Sequence, residues 1–177
     1  MKTALSAAQV LVFALCSAAA LAAGATPNDA QIAAIVVTAN QVDIDAGKLA
    51  AATTKSEPVK TFADLMVKDH TSVNQSASDL VTKLHVTPES NPTSESLKSG
   101  GDQNVASLKK LSGAAFDKAY VDHEVAYHQA VLDAVDKTLI PSAQNAELKA
   151  LLVKVRPAFV AHLEHAKTLQ ASLAGKH

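Results

Sequence analysis

Long segments with apolar residues at helical spacing constrain this chain more than any other feature of its sequence. In each segment the apolar residues recur every three or four positions, the period of a helix that buries one face. No segment shows the alternation typical of a half-buried strand. The pattern therefore predicts an all-α fold with four long helices, over residues 28–54, 56–86, 114–139 and 142–174.

Residues near the ends of these segments support the predicted boundaries. Asn28 followed by Gln31 has the spacing of a capping box, which starts a helix. Pro141 predicts that the third helix stops before it, and Pro157 predicts a kink within the fourth. Short connections within each pair of helices indicate antiparallel neighbours, so we predict a four-helix bundle.

The segment between the second and third long helices predicts a loop. Residues 87–101 contain two prolines, many serines and the pair Gly100-Gly101, all of which favour turns. A short helix is expected over residues 102–111. This connection is long enough to cross the length of a bundle. Both an up-down-up-down topology and a crossover topology therefore remain open.

The first 25 residues have the pattern of a secretory signal peptide. Lys2 precedes a long run rich in Ala, Leu and Val, and small residues follow over 20–25. A basic start, an apolar centre and an A-x-A-like end are typical of exported precursors. We expect cleavage after Ala25 or Ala22, export to the periplasm, and one domain over residues 26–177. A retained membrane anchor is the alternative, because the run could span a bilayer.

Composition excludes several classes of function. The chain has 16 basic and 17 acidic residues, and Arg156 is its single arginine, so it has no basic stripe for nucleic acid. The single cysteine, Cys16, lies in the leader, which leaves no thiol for a disulfide or a thiolate metal site. No segment after residue 28 is long and apolar enough to span a membrane. The sequence identifies no partner, and it leaves open both peripheral association with the envelope and a homo-oligomer.

A few polar residues lie on faces that should be apolar. Projected at about 100° per residue, each long helix places at least one such residue inside its apolar arc. Counting residues from the helix ends puts most of them at one depth, with His162 offset by about two turns. Asp69 lies at the margin of its arc. The residues inside the arcs are Asp43, His70, Glu124, His128 and His162.

Buried carboxylates must be paired, protonated or bound to a cation. One interpretation of the cluster is a polar network that pairs Asp43 with His70 and Glu124 with His128. The other is a metal site, since carboxylates and imidazoles together suit Fe, Mn or Zn. The Glu-x-x-His repeats of a ferritin-type di-iron centre are absent, which weighs against that particular site.

Four pieces of the sequence resemble a known bacterial family. They are VDIDAGKLA (42–50), VKTFADLMVKDHTSVNQ (59–75), LSGAAFDKAYVDHEVAYHQAVL (111–132) and FVAHLEHAKTLQ (159–170). The family consists of exported proteins with a domain of unknown function, often labelled "predicted outer membrane protein". The resemblance spans roughly residues 28–173 and implies a ferritin-like helical bundle. It also implies that His70, His128 and His162 match the family's histidines, and that Asp43 stands where Glu is usual.

Three functions fit these observations. The favoured one is a non-catalytic periplasmic protein that binds a metal ion or small ligand in its core, with a role in envelope stress. The second is a di-metal oxidase or peroxide-consuming enzyme, for which Tyr120 and Tyr127 lie near the cluster. The third is a structural or interaction module whose buried polar groups only fix the register of the helices.

Overall fold

Helices account for nearly all of the chain that the structure describes. The structure is a computed structural model, and it describes residues 26–175, so the predicted leader and Cys16 lie outside it. Within residues 26–175 there is no strand, which confirms the all-α prediction. Five helices are longer than one turn: α1 (Asp29–Thr53), α2 (Glu57–Lys83), α3 (Pro92–Leu108), α4 (Gly113–Ala134) and α6 (Ala146–Ala174).

Contacts between the helices give their directions. The α1–α2, α4–α6 and α2–α6 pairs are antiparallel, because residues late in one helix meet residues early in the other. Helix α3 instead runs parallel to α1. Asn91 donates to the Gln31 carbonyl near the start of both helices, and Gly101 meets Val42 further along. Helix α3 thus carries the chain back along the molecule, so that α2 and α4 run in the same direction.

The loop predicted over residues 87–101 is wrong, because most of that segment belongs to α3. The Asn91 side chain accepts hydrogen bonds from the backbone N–H groups of Thr93 and Ser94, and the Ser94 hydroxyl accepts from the backbone of Asn91. Pro92 occupies the first turn, where its missing N–H costs nothing. A complete capping box therefore starts a helix that composition alone did not indicate.

Gly101 lies inside α3 because the helix approaches α1 closely there. A Cβ at this position would lie 2.6 Å from one methyl carbon of Val42 and 2.8 Å from the other. Glycine lowers the helix propensity at this position, but it allows α3 and α1 to pack closely. Gly100 has no such neighbour within 4 Å.

The predicted boundary between the third and fourth long helices is also wrong. Helix α4 does not stop before Pro141 but continues through a widened turn, Val135–Leu139, into the single turn α5 (Ile140–Ser142). A widened turn accommodates a proline ring that would clash with a carbonyl in a regular helix. Helix α6 then begins at Ala146. The Asn145 side chain accepts hydrogen bonds from the backbone N–H groups of Glu147 and Leu148.

Two of the three apolar clusters within residues 26–175 lie on either side of a polar layer. One contains Phe62, Met66, Phe116 and Tyr120, among others. The second contains Ile32, Ile35, Leu139 and Leu148. On α1, α2, α4 and α6, the sequence-predicted polar residues fall between the residues that build these two clusters. No helix within residues 26–175 is both long and apolar enough to cross a bilayer.

The two adjacent glycines of α3 provide a matched test of this packing. We expect Gly101→Ala to lower the free energy of unfolding by about 1–3 kcal/mol, because the added methyl overpacks the contact with Val42. Gly100→Ala should raise it by up to about 1 kcal/mol, because alanine favours the helix and meets open space. Urea denaturation of both variants measures the difference. Equal shifts in the two variants would contradict the close α1–α3 contact.

Candidate metal centre

Four helices bring the five polar residues predicted from the sequence into one buried layer. Helix α1 contributes Asp43, α2 contributes His70, α4 contributes Glu124 and His128, and α6 contributes His162. None of these residues is more than 3% exposed. The apolar clusters above and below exclude water from the layer, so charges in it interact strongly.

The Asp43 carboxylate lies among the imidazoles. Its Oδ2 atom is 3.0 Å from His70 Nε2 and 3.4 Å from His128 Nε2. These separations are ion-pair distances. The three imidazole ring centres of His70, His128 and His162 are 5.2–5.5 Å apart. Four helices therefore place one carboxylate and three rings within a few ångströms.

Two overlapping groups of atoms are close enough to share an ion. One group takes a ring nitrogen from each of His70, His128 and His162, all within 4.8 Å of one another. The other takes Asp43, Glu124 and His128, again within 4.8 Å. Because His128 belongs to both groups, the two form one continuous centre.

Each of the three imidazoles is tied on its outer side by a hydrogen-bond acceptor. His70 Nδ1 lies 2.7 Å from Asn40 Oδ1, and the Asn40 amide nitrogen donates to the Val36 carbonyl, which fixes its orientation. His128 Nδ1 lies 3.0 Å from the backbone carbonyl of Glu124. In both rings Nδ1 is therefore a donor, and Nε2 is the nitrogen that faces Asp43.

His162 has the same arrangement with its two nitrogens exchanged. Its Nε2 lies 3.0 Å from Asp69 Oδ2, while its Nδ1 is buried without a hydrogen-bond partner. Asp69 is about one-third exposed, so it links the layer to solvent. A carboxylate or carbonyl on the outer nitrogen of a histidine is the usual support for a metal ligand, since it fixes the tautomer and the ring orientation.

The charge states of the centre follow from burial and from these neighbours. Burial works against a charge on Asp43, but the facing His70 is the largest of the contributions that lower the pKa of that carboxyl. Burial and the charge of Asp43 raise the pKa of Glu124 well above its usual value. Burial lowers the pKa of the His128 imidazole to about 4. At neutral pH the centre therefore holds an ionised Asp43 and a neutral His128 with a free lone pair.

The structure corrects the predicted depth of His162. The sequence predicted an offset of about two turns, whereas the His162 ring centre lies 5.2 Å from that of His70. Depth was counted from the helix ends, and the connection between α4 and α6 lies further along the chain than predicted. When the count starts from a connection near Asn145 instead of Pro141, His162 falls at the same depth as the other members of the centre.

Sequence reasoning missed two residues of the centre. Asn40 lies one turn before Asp43 on the same face of α1, and a polar side chain so close to Asp43 was the available signal. Asp69 was placed at the margin of its face, but its partner belongs to α6, and periodicity within one helix does not reveal partners on another. The exposed His85 and His165 lie outside the centre.

Comparison with known proteins adds one match. The model of a family described as "Domain of unknown function (DUF4142)" matches residues 14–169. No curated protein and no solved structure matches the chain. The match covers most of the chain but identifies no activity, so the function must be argued from the centre itself.

The raised pKa of Glu124 gives a pH-dependent prediction for the ion-free protein. Because the pKa of Glu124 is higher in the folded state than in the unfolded state, the folded state binds more protons once the pH exceeds about 4.5. This carboxyl therefore lowers the free energy of unfolding as the pH rises. We expect Glu124→Gln to gain stability over the parent chain between pH 4.5 and 7.5, by at most about 1.4 kcal/mol per pH unit.

Urea denaturation in the presence of a chelator measures this gain. Glu164→Gln serves as the control, because Glu164 is exposed on α6. It should show no such trend. A difference between the Glu124→Gln variant and the parent chain that does not change with pH would contradict the raised pKa.

Proposed function

The chain belongs to the DUF4142 family of domains of unknown function, and on the basis of its buried centre we propose that it is a metal-binding protein. In this proposal a single transition-metal ion is held by His70, His128, His162 and Asp43. Three imidazoles from three helices and a carboxylate from a fourth surround the ion. Binding the ion, rather than stabilising the fold, is the role we assign to the polar layer.

The observation that carries the proposal is the position of hydrogen-bond acceptors around the three imidazoles. Each ring has one nitrogen committed to an outer acceptor, and each opposite nitrogen is buried without a partner. His70 Nε2 and the Asp43 carboxylate, 3.0 Å apart, need a proton or a metal ion between them. A polar network without an ion would still leave His128 Nε2 and His162 Nδ1 without partners, at a cost of about 1–3 kcal/mol each.

The spacing of the ligand atoms supports a small ion. Bonds of about 2.0–2.1 Å to nitrogen and oxygen place neighbouring ligands about 3.0 Å apart in octahedral geometry and about 3.4 Å apart in tetrahedral geometry. The two separations from Asp43 Oδ2 are 3.0 and 3.4 Å. Asp43 therefore already stands at such distances from two of the three proposed imidazole ligands.

The donor set supports a limited choice of metals. Three imidazoles and one carboxylate suit Fe, Mn or Zn, whereas Ca and Mg prefer oxygen ligands alone. Residues 26–177 contain no cysteine, so a thiolate site is excluded for the mature chain. A divalent ion with one ionised aspartate carries a net charge of +1, and the neighbouring Glu124 carboxyl can respond to that charge.

We also propose the compartment and the architecture. The composition of residues 1–25 supports export and removal of a leader, which would place the metal site in the periplasm. The directions of α1, α2, α4 and α6 support a ferritin-like four-helix bundle, with α3 as the crossover between its two halves. A periplasmic metal-binding bundle is consistent with a role in envelope stress.

Metal content and affinity test the proposed site. We expect the purified chain to take up one Mn(II), Fe(II) or Zn(II) ion per molecule, measured by elemental analysis and by titration. His162→Gln should lower the affinity by more than the 10–100-fold typical of changes outside the ligand set. Saturation at 100 times Kd should raise the free energy of unfolding by about 2.7 kcal/mol.

His165→Gln is the matched control, since His165 lies one turn from His162 on α6 and is exposed. It should bind the ion with unchanged affinity. If none of the three metals binds stoichiometrically, or if the two variants bind equally well, the layer is a structural polar network instead.

Cleavage of the leader tests the proposed export. We expect the chain recovered from a periplasmic fraction to begin at Thr26 or Ala23, as judged by its intact mass. Leu11→Asp should block export, because a charge interrupts the apolar run that the export machinery recognises. An uncleaved chain found in the membrane fraction would instead support a retained anchor.

A further inference from the structure

Glu124 is the sequence-predicted member of the buried layer that the four proposed ligands leave unused. Its side chain is 1% exposed, and both of its carboxyl oxygens are buried without a hydrogen-bond partner among residues 26–175. A carboxyl group in that position costs free energy unless it meets a donor or a cation. The groups around Glu124 therefore indicate what it can bind.

The Glu124 carboxyl lies beside two of the proposed ligands. Its Oε2 atom is 3.5 Å from His128 Nδ1. One of its oxygens also lies within 4.8 Å of a ligand atom of Asp43 and of a ring nitrogen of His128. Opposite ligands of an octahedral ion, with bonds of about 2.1 Å, are about 4.2 Å apart. A small rotation of the Glu124 side chain would therefore bring its carboxyl to an ion that Asp43 and His128 already hold.

The candidate metals differ in the number and kind of ligands that they need. Zn(II) is satisfied by four ligands in a tetrahedral arrangement, and three imidazoles with one carboxylate supply that number. Mn(II) favours oxygen ligands and octahedral geometry, and it forms the weakest complexes among the divalent first-row metals with a given set of ligands. A second carboxylate ligand would therefore matter more for Mn(II) than for Zn(II).

The charge of the carboxylate favours both ions equally. A divalent ion bound to Asp43 alone retains one positive charge in a core from which water is excluded, and a second carboxylate neutralises it. Because Mn(II) and Zn(II) carry the same charge, this attraction does not distinguish them. A difference between the two metals at Glu124 would therefore report a bond from its carboxylate to the ion.

We propose that Glu124 determines the metal specificity of the centre: its carboxylate is a fifth protein ligand for Mn(II), whereas Zn(II) is held by the four ligands already assigned. This inference rests on the proposed function and deepens it. A carboxyl group that coordinates a metal gives up its proton, so the ion takes the place of that proton. The two overlapping groups of ligand atoms then belong to the coordination sphere of one ion.

Competition titrations against a chromogenic chelator, with Mn(II) and with Zn(II) at one pH, test the inference. We expect Glu124→Gln to lower the affinity for Mn(II) by a factor at least about ten times larger than the factor for Zn(II). Glutamine keeps the size of the side chain, but its neutral amide is a poorer ligand for Mn(II). Loss of charge alone would lower both affinities by the same factor, so the ratio of the two factors is the decisive quantity.

Two variants of α6 serve as controls. His162→Gln removes an imidazole that both ions use, so it should lower both affinities. Glu164→Gln makes the same chemical change as Glu124→Gln at an exposed position, and it should change neither affinity. Circular dichroism of each ion-free variant checks that its helices are intact.

Failure of the inference and failure of the proposed function give different results. If the factors for Mn(II) and Zn(II) in Glu124→Gln differ by less than about tenfold, Glu124 does not set the specificity, and the four-ligand site stands. A larger loss for Zn(II) than for Mn(II) would overturn the inference in the same way. If the parent chain binds neither ion stoichiometrically, the proposed function itself fails.

Discussion

The buried carboxylate of Asp43 is the constraint on which the rest of this structure depends. It is 1% exposed and lies at the centre of the core, where an isolated charge is very costly. The imidazoles of His70 and His128 face it. Asn40, Asp69 and the Glu124 carbonyl contact the other nitrogens of the centre's imidazoles. The polar residues of four helices thus provide the polar surroundings that the Asp43 carboxylate requires.

This polar layer divides the apolar core and does little for stability by itself. Replacing buried ionic groups by apolar ones is often neutral or stabilising, which is why we propose a binding role for this layer. The apolar clusters on either side provide the packing and keep water out. They hold the imidazoles in a dry, rigid setting, which strengthens any electrostatic interaction with an ion or its ligand.

The sequence of α3 contains features that favour a loop and features that favour a helix. Its prolines and glycines favour a loop by composition, yet Asn91, Pro92 and Ser94 form a helix start, and Gly101 allows close contact with Val42. A capping box is visible in the sequence, but the reason for the glycine lies on α1. Only the packed structure shows that α3 supports α1 along the length that presents Asp43.

The sequence by itself determined that the fold is all-α and that five polar residues belong to the buried faces, because helical periodicity fixes the angular position of a side chain. It did not determine the depth of His162 or the partnership of Asp69 with α6, because depth depends on where each helix begins and ends. Those boundaries follow from caps, from a widened turn at Pro141 and from contacts between helices. The tertiary structure alone therefore decided that His162 and Asp69 join the cluster that the other polar residues were predicted to form.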